Sequence, residues 1–221
     1  MRFEQDLVKS TFAGELVLAS SSPRRRELMT RAGYYFRVIA PKLPEDQLHP
    51  QMPQVLAESL AYAKARQVAD VLERGVVIGA DTVVALEGAV LGKAETPEEA
   101  RTMLRRLADT THEVITGVCL LNARRGERLI GAGVTRVTMR AMTDDEIEAY
   151  VVGGEGIGKA GGYAIQESGD RFIETLDGSF TNVVGLPMPL LAEYLDEMQR
   201  YVYKESRRSS ARQPSPNRRT P

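Results

Sequence analysis

The chain has 221 residues, 43% of them hydrophobic, which is enough apolar material for one substantial core or two small lobes. A net charge of −1, one cysteine and no apolar run of membrane-span length argue against a basic nucleic-acid module, a disulfide-stapled scaffold and a helical membrane protein. Residues 1–14 include Glu4 and Asp6 and read as an extension rather than a secretory leader, and the lone Cys119 fits a cytoplasmic setting.

Leu16-Val17-Leu18-Ala19 reads as a buried strand, followed by Ser20-Ser21-Ser22-Pro23-Arg24-Arg25-Arg26. Ser22 suits a helix N-cap and Pro23 the first helical position. Arginines in the first turn oppose the positive helix N-terminus. An anion held there by free N–H groups, serine hydroxyls and guanidinium forks would offset that cost. The segment therefore reads either as a phosphate-binding loop or as an ordinary capped helix with solvated arginines.

That helix should stop near Gly33, with a strand over 34–40 and a proline-rich loop over 41–53. A helix over roughly 54–73 follows, with Leu56, Leu60, Ala63, Val68 and Leu72 as its apolar stripe. Val76-Val77-Ile78-Gly79-Ala80 is a buried strand that continues through Thr82-Val83-Val84-Ala85 to a turn at Glu87-Gly88. Thr96-Pro97-Glu98-Glu99 has the form of a capping box and starts a helix to about Ala108. Strands over 113–121 and 127–139 form a hairpin around a turn at 123–126. Thr143-Asp144-Asp145-Glu146 is a second capping box, for a helix to about Val152.

A glycine-rich loop, strands over 163–166 and 171–176, and a helix over roughly 187–204 follow. Alternating strands and helices with an antiparallel insert predict an α/β fold with a mixed sheet. The expected organisation is an extension over 1–14, one domain over 15–203 and a tail over 204–221. The tail carries Lys204, Arg207, Arg208, Arg212, Arg218 and Arg219 against Glu205 and is expected to be disordered. It is a candidate contact for acidic surfaces or simply a solubilising terminus.

Several chemistries lack their residues. Gly153-Gly154-Glu155-Gly156-Ile157-Gly158-Lys159-Ala160 resembles a P-loop but lacks the Ser/Thr after the lysine, and it follows a helix instead of a strand. Zinc chemistry lacks ligands, since His49, His112 and Cys119 are the whole His/Cys inventory. No G-x-S-x-G elbow accompanies His112, which reads as a structural hydrogen-bonding residue. Asp81 stands out because it interrupts the most apolar stretch of the chain. A carboxylate buried there without a partner would cost several kcal/mol, so it should face a cleft, a cation or a metal; it reads either as a polar strand edge or as a carboxylate that holds Mg²⁺ or activates water. Lys64, Lys93 and Lys159 sit beside small residues and, with Arg24 and Arg25, could neutralise a triphosphate. A carboxylate beside a basic cluster points to phosphoanhydride hydrolysis.

Four segments together resemble the Maf family of nucleoside triphosphate pyrophosphatases, also called septum formation inhibitors. They are Ser20-Ser21-Ser22-Pro23-Arg24-Arg25, Gly79-Ala80-Asp81-Thr82, Lys159-Ala160-Gly161-Gly162-Tyr163-Ala164-Ile165-Gln166, and the run from Gly178 to Pro187. The resemblance spans about Leu16 to Tyr203. It implies hydrolysis of a nucleoside triphosphate to a monophosphate and pyrophosphate with a divalent metal, Mg²⁺ or Mn²⁺. The implied fold is a mixed, twisted α/β sheet around a deep cleft, similar to inosine triphosphate pyrophosphatases, and a homodimer is expected.

The resemblance makes Asp81 the proton acceptor and a metal ligand, with Glu45 as a second acid for the metal. It ties substrate choice to Arg24, Thr82 and Gln166, a pattern that resembles the dTTP/UTP branch rather than the 7-methyl-GTP branch. Ser20, Lys64 and Lys93 fall at phosphate positions, beside Ser22 and Arg25 of the loop read above. The chain departs from the family at Ser59, where an arginine is common, and at Gly92-Lys93-Ala94, where Glu-Lys-Pro is common. The competing class is a nucleotide-binding restraint on cell division without significant turnover. Nucleic-acid binding through the tail is disfavoured, because the rest of the chain is acidic and lacks an aromatic-basic platform.

Overall fold

The computed structural model describes residues 12–42, 52–166 and 168–210. Its longest apolar run forms the central strand β3 (Val76–Leu86), preceded by β1 (Leu16–Ala19) and β2 (Phe36–Val38). After it come β4 (Ala89–Leu91), β5 (Thr111–Asn122), β6 (Arg128–Met139) and β7 (Ile173–Asp177). These make one seven-stranded sheet in the order β2-β1-β3-β5-β6-β7, with β4 added to β3. β2, β1 and β3 run parallel, while β3, β5, β6 and β7 run antiparallel, so the sheet is mixed as expected.

Helices α1 (Pro23–Arg31), α5 (Phe180–Val184) and α6 (Met188–Ser210) cover one face, around Leu18, Ile78, Leu120, Leu28 and Leu191. The other face carries α2 (Pro53–Ala69), packed on Val17, Val77 and Cys119. A further cluster at the Val84 and Val114 end of the sheet holds α3 (Pro97–Leu107) and α4 (Asp144–Val152) through Leu104, Tyr150 and Phe172.

The α2 face differs from the predicted stripe. Its buried residues are Ala57, Ala61, Lys64, Ala65, Val68 and Ala69, while Leu56, Leu60 and Ala63 are only half-buried. The cause lies in the sheet. A Cβ on Gly79 would sit 2.1 Å from the Ala61 carbonyl oxygen, and one on Gly117 would sit 2.2 Å from the Ala57 carbonyl oxygen. Two glycines facing three alanines let the helix backbone lie directly on the strands, so small residues rather than leucines make the contact.

Other elements also shift. The strand expected over 34–40 is only Phe36–Val38, and α2 ends at Ala69. Thr96 caps α3 through the Glu99 N–H, but the Glu99 carboxylate takes the Glu95 N–H, so that box is half formed. Thr143 and Glu146 make the full reciprocal box. Residues 163–166 are not a strand. Gly161 and Gly162 both adopt φ of +72°, which turns the chain away from any sheet. Helix α6 runs to Ser210, across the expected 203/204 boundary; residues 1–11 and 211–221 lie outside the described ones.

Candidate active site

The pairing pattern opens a gap along β3. β1 pairs with β3 only as far as Gly79, and β4 pairs with it only from Val84. Ala80 to Val83 therefore have β5 on one side and an opening on the other. Such openings beyond the carboxyl ends of parallel strands are the usual ligand sites of α/β sheets. Here the chain leaves β1 through Ser20, Ser21 and Ser22 into α1, at the mouth of the opening. A cleft of about 240 Å³ fills this space.

Side-chain alternation sends Asp81 and Thr82 to opposite faces at the edge of the gap. Asp81 meets α2, where Lys64 Nζ lies 2.5 Å from Asp81 Oδ1. Both side chains of this pair are largely buried, at 11% and 14% exposure. The second Asp81 oxygen has no hydrogen-bond partner among the described residues. Thr82 meets α1 on the other face, where its hydroxyl accepts from Arg25 Nη2 at 3.1 Å.

Ser22 caps α1 through the Arg25 N–H, and no acid occupies the first turn. The nine-residue helix thus presents its positive end, with Arg24 and Arg25, to the cleft. The Ser20 hydroxyl accepts from the Ser22 N–H at 3.1 Å and from Arg25 Nη1 at 3.3 Å. Both its lone pairs are used, and its proton has no acceptor among the described residues. It is a donor ready for a ligand oxygen.

The opposite wall joins two loops distant in sequence. Lys93 bridges Ala160 and Ala94 bridges Ile157, with the Gly158 N–H donating to the Ala94 carbonyl at 2.8 Å. This brings Lys93 and Lys159 to the cleft. The Glu155 carboxylate accepts from the Ser168 hydroxyl at 2.6 Å and closes the loop behind them. The lining then carries five cations (Arg24, Arg25, Lys64, Lys93 and Lys159) against one carboxylate, Asp81, among the described residues. The arrangement favours a polyanion.

Ser20, Ser22, Arg24, Arg25, Lys64, Lys93, Asp81 and Thr82 all line this cleft. Gln166 does not. Within the turn at 163–166 the lining stops at Ile165, and Gln166 is half-buried next to it. Glu45 lies outside the described residues. Ser21 and Tyr163 line the cleft beyond the residues that the sequence singled out, and Thr116 stands behind Thr82, outside the lining. The signal for Thr116 was present, since a threonine interrupts an apolar strand there just as Asp81 interrupts β3. Among the described residues no three His, Cys, Asp or Glu side chains converge on a metal position. Asp81 alone fits the way Mg²⁺ binds through one or two carboxylates while a substrate's phosphates supply the rest.

His112 is buried behind the cleft, with Nε2 2.7 Å from the Tyr163 hydroxyl and Nδ1 without a partner among the described residues. Burial pushes its pKa down to about 4 and drives the Tyr163 hydroxyl well above the usual phenol range. The unfolded chain takes up this proton near pH 6.5. Between about pH 6.5 and 4 the unfolded state holds more protons, so stability falls as pH drops through that window. The full effect is about 3 kcal/mol, at 1.36 kcal/mol per pH unit. Melting curves of wild type and His112→Gln between pH 7 and 4.5 should show a shallower acid decline in the variant. Equal declines would remove His112 as the cause.

A mixed α/β sheet with a strand-edge cleft, a capped helix start and a cation-rich lining defines an α/β protein built to receive a polyanionic ligand. A family model described as Maf-like protein matches residues 15–198. A dTTP/UTP pyrophosphatase of Pelotomaculum thermopropionicum is 46% identical over 82% of this chain and 95% of its own length. Another dTTP/UTP pyrophosphatase, from Moorella thermoacetica, is 45% identical over 82% of this chain and 93% of its own length. One from Pyrococcus furiosus is 40% identical over 82% and 94%. Among solved structures, the Staphylococcus aureus Ham1 protein shares the fold, with a TM-score of 0.50 and 14% identity over 83% of this chain and 99% of that one. The chain belongs to the Maf family. No helix among the described residues is long and apolar enough to cross a membrane.

Proposed function

We propose that the protein hydrolyses dTTP and UTP to the nucleoside monophosphate and pyrophosphate. The observation that carries this reading is Asp81, the one carboxylate lining the cleft among the described residues, pinned through one oxygen by Lys64 amid the cations of the lining. The dTTP/UTP pyrophosphatases that are 40–46% identical to this chain support the base preference.

In this mechanism the Asp81 oxygen not held by Lys64 accepts a proton from water as that water attacks the α-phosphorus. A new P–O bond forms and the bond to the bridging oxygen of the β-phosphate breaks, releasing pyrophosphate. Arg25, Lys64, Lys93, the Ser20 hydroxyl and the start of α1 bind the phosphate oxygens and stabilise the developing charge. Arg24 and the cleft wall at 163–165 receive the base, and Gln166, next to that wall but outside the lining, bears on base choice from there. Asp81, with Glu45 as the second acid, would hold Mg²⁺ or Mn²⁺. Held there, such an ion would neutralise phosphate charge and help orient the chain of phosphates. A homodimer and a cytoplasmic setting, the latter consistent with the lone buried Cys119, belong to the same proposal.

Pyrophosphate release should be measured for dTTP, UTP, CTP, GTP, 7-methyl-GTP and ATP, with and without Mg²⁺ or Mn²⁺. Metal-dependent release favouring dTTP and UTP is the expected result. Preference for 7-methyl-GTP would overturn the base assignment. No release from any nucleotide would favour a binding role without turnover.

A further inference from the structure

The hydrogen bonds around Arg25 close into a ring. Arg25 Nη2 donates to the Thr82 hydroxyl at 3.1 Å, and the Thr82 and Thr116 hydroxyls lie 2.9 Å apart. Thr116 donates to the Asn182 carbonyl at 2.9 Å. Within the same segment the Gly185 carbonyl accepts from Arg25 Nε at 2.7 Å. Helix α1, strands β3 and β5, and the α5 segment are thus tied into one circuit.

Proton counting fixes the direction of this circuit. A carbonyl oxygen only accepts, so the one hydroxyl proton of Thr116 goes to Asn182. Thr116 must then accept from Thr82. The Thr82 proton is directed at β5, and a Thr82 lone pair faces Arg25. While the ring is intact, Thr82 has no proton to offer a nucleotide.

Thr116 itself is fully buried and does not line the cleft. It sits directly opposite Thr82 in the β3–β5 register. The acceptor end of the circuit is braced as well. Asn182 Nδ2 donates to the Val114 carbonyl and to the Thr135 hydroxyl, each at 2.9 Å.

We infer that Thr116 is a positioning residue for the reaction proposed above: by accepting the Thr82 proton it turns a Thr82 lone pair to Arg25 and fixes the guanidinium against the phosphate side of the cleft. Thr82 accordingly influences the substrate through Arg25 rather than by touching the base. A valine at 116 keeps the shape but removes the acceptor. The Thr82 hydroxyl is then free to rotate its proton toward Arg25, which turns an attraction into a repulsion.

The test is a double-mutant cycle on the full chain, with Thr116→Val, Arg25→Ala and the pair, plus Thr116→Ser as the conservative variant. Thr116→Val is expected to lower kcat/KM by about tenfold, as loss of an orienting bond to a charged group would. Thr116→Ser should restore it to within about twofold of wild type, because the serine hydroxyl can rebuild the ring. In the Arg25→Ala background, Thr116→Val should add no more than about a twofold loss.

Wild-type kcat/KM in folded Thr116→Val would overturn the inference. So would an undiminished tenfold loss in the Arg25→Ala background, since Thr116 would then act independently of Arg25. Should Thr116→Val fail to fold, Thr116→Ala takes its place in the cycle. Absence of turnover in the wild type would overturn the pyrophosphatase proposal instead. The same cycle read as Kd for inorganic tripolyphosphate would then test the ring by itself, with non-additivity supporting it and additivity overturning it.

Discussion

Asp81→Asn is expected to lower dTTP and UTP hydrolysis by about 10²–10⁴-fold, the range a positioned general base contributes. Nucleotide binding should persist, because the cations and the α1 start remain in the lining. The substitution is close to isosteric. An asparagine can still accept the Lys64 bond through its amide oxygen, so Lys64 is not left buried without a partner. The remaining side-chain atom becomes an NH₂ group, which donates and cannot take a proton from water. Steady-state rates together with calorimetric nucleotide titration separate the two effects. Turnover at the wild-type rate would remove Asp81 from the role of base. Loss of binding equal to the loss of rate would make it a ligand for substrate alone.

The second large effect is on stability. Gly117→Ala is expected to destabilise the fold by about 3 kcal/mol, the upper part of the usual range for overpacking a tight core. The added Cβ would lie 2.2 Å from the Ala57 carbonyl oxygen and 2.6 Å from the Glu58 nitrogen. Both are backbone atoms, so no side chain can rotate aside. Relief requires α2 to lift from the sheet. That same helix carries Lys64, and Gly117 stands opposite Asp81 in the β3–β5 register. The substitution should therefore loosen the Lys64–Asp81 contact along with the core and lower activity in the folded fraction. Chemical denaturation measures the first effect and kcat the second. A variant as stable as wild type would show that the close approach of helix and sheet is not a real constraint.

The parts of the fold that were legible had signals confined to one stretch of chain. The β1–Ser22–α1 unit announces itself through an apolar run, a capping serine and a proline at the first helical position, and each does in the structure what its chemistry suggests. The capping box at Thr143 is equally local. Asp81 was legible because a carboxylate in an apolar strand demands a partner, and Lys64 supplies it.

What escaped depended on contacts across the sequence. The stripe of α2 was misplaced because Gly79 and Gly117, on other elements, decide which helix face can approach. Helix α5 has too few residues to show a periodic face. Its only marks are Ser179 at the start and Gly185, with φ of +125°, at the end. The segment at 163–166 has strand-like composition. Two left-handed glycines before it, a hydrogen bond between Tyr163 and His112, and one from the Ala164 N–H to Tyr150 hold it as cleft wall instead. The pairing of residues 93 and 160, which brings two lysines to one side of the cleft, joins loops that no local pattern connects.

Bond cleavage is the most direct test of the proposed chemistry. Phosphorus NMR of dTTP incubated with the wild-type protein and Mg²⁺ should show dTMP and pyrophosphate appearing in equal amounts, with no dTDP at any time. The appearance of dTDP and orthophosphate would place attack on the terminal phosphorus and contradict the assignment of Asp81 to water at the α-phosphorus.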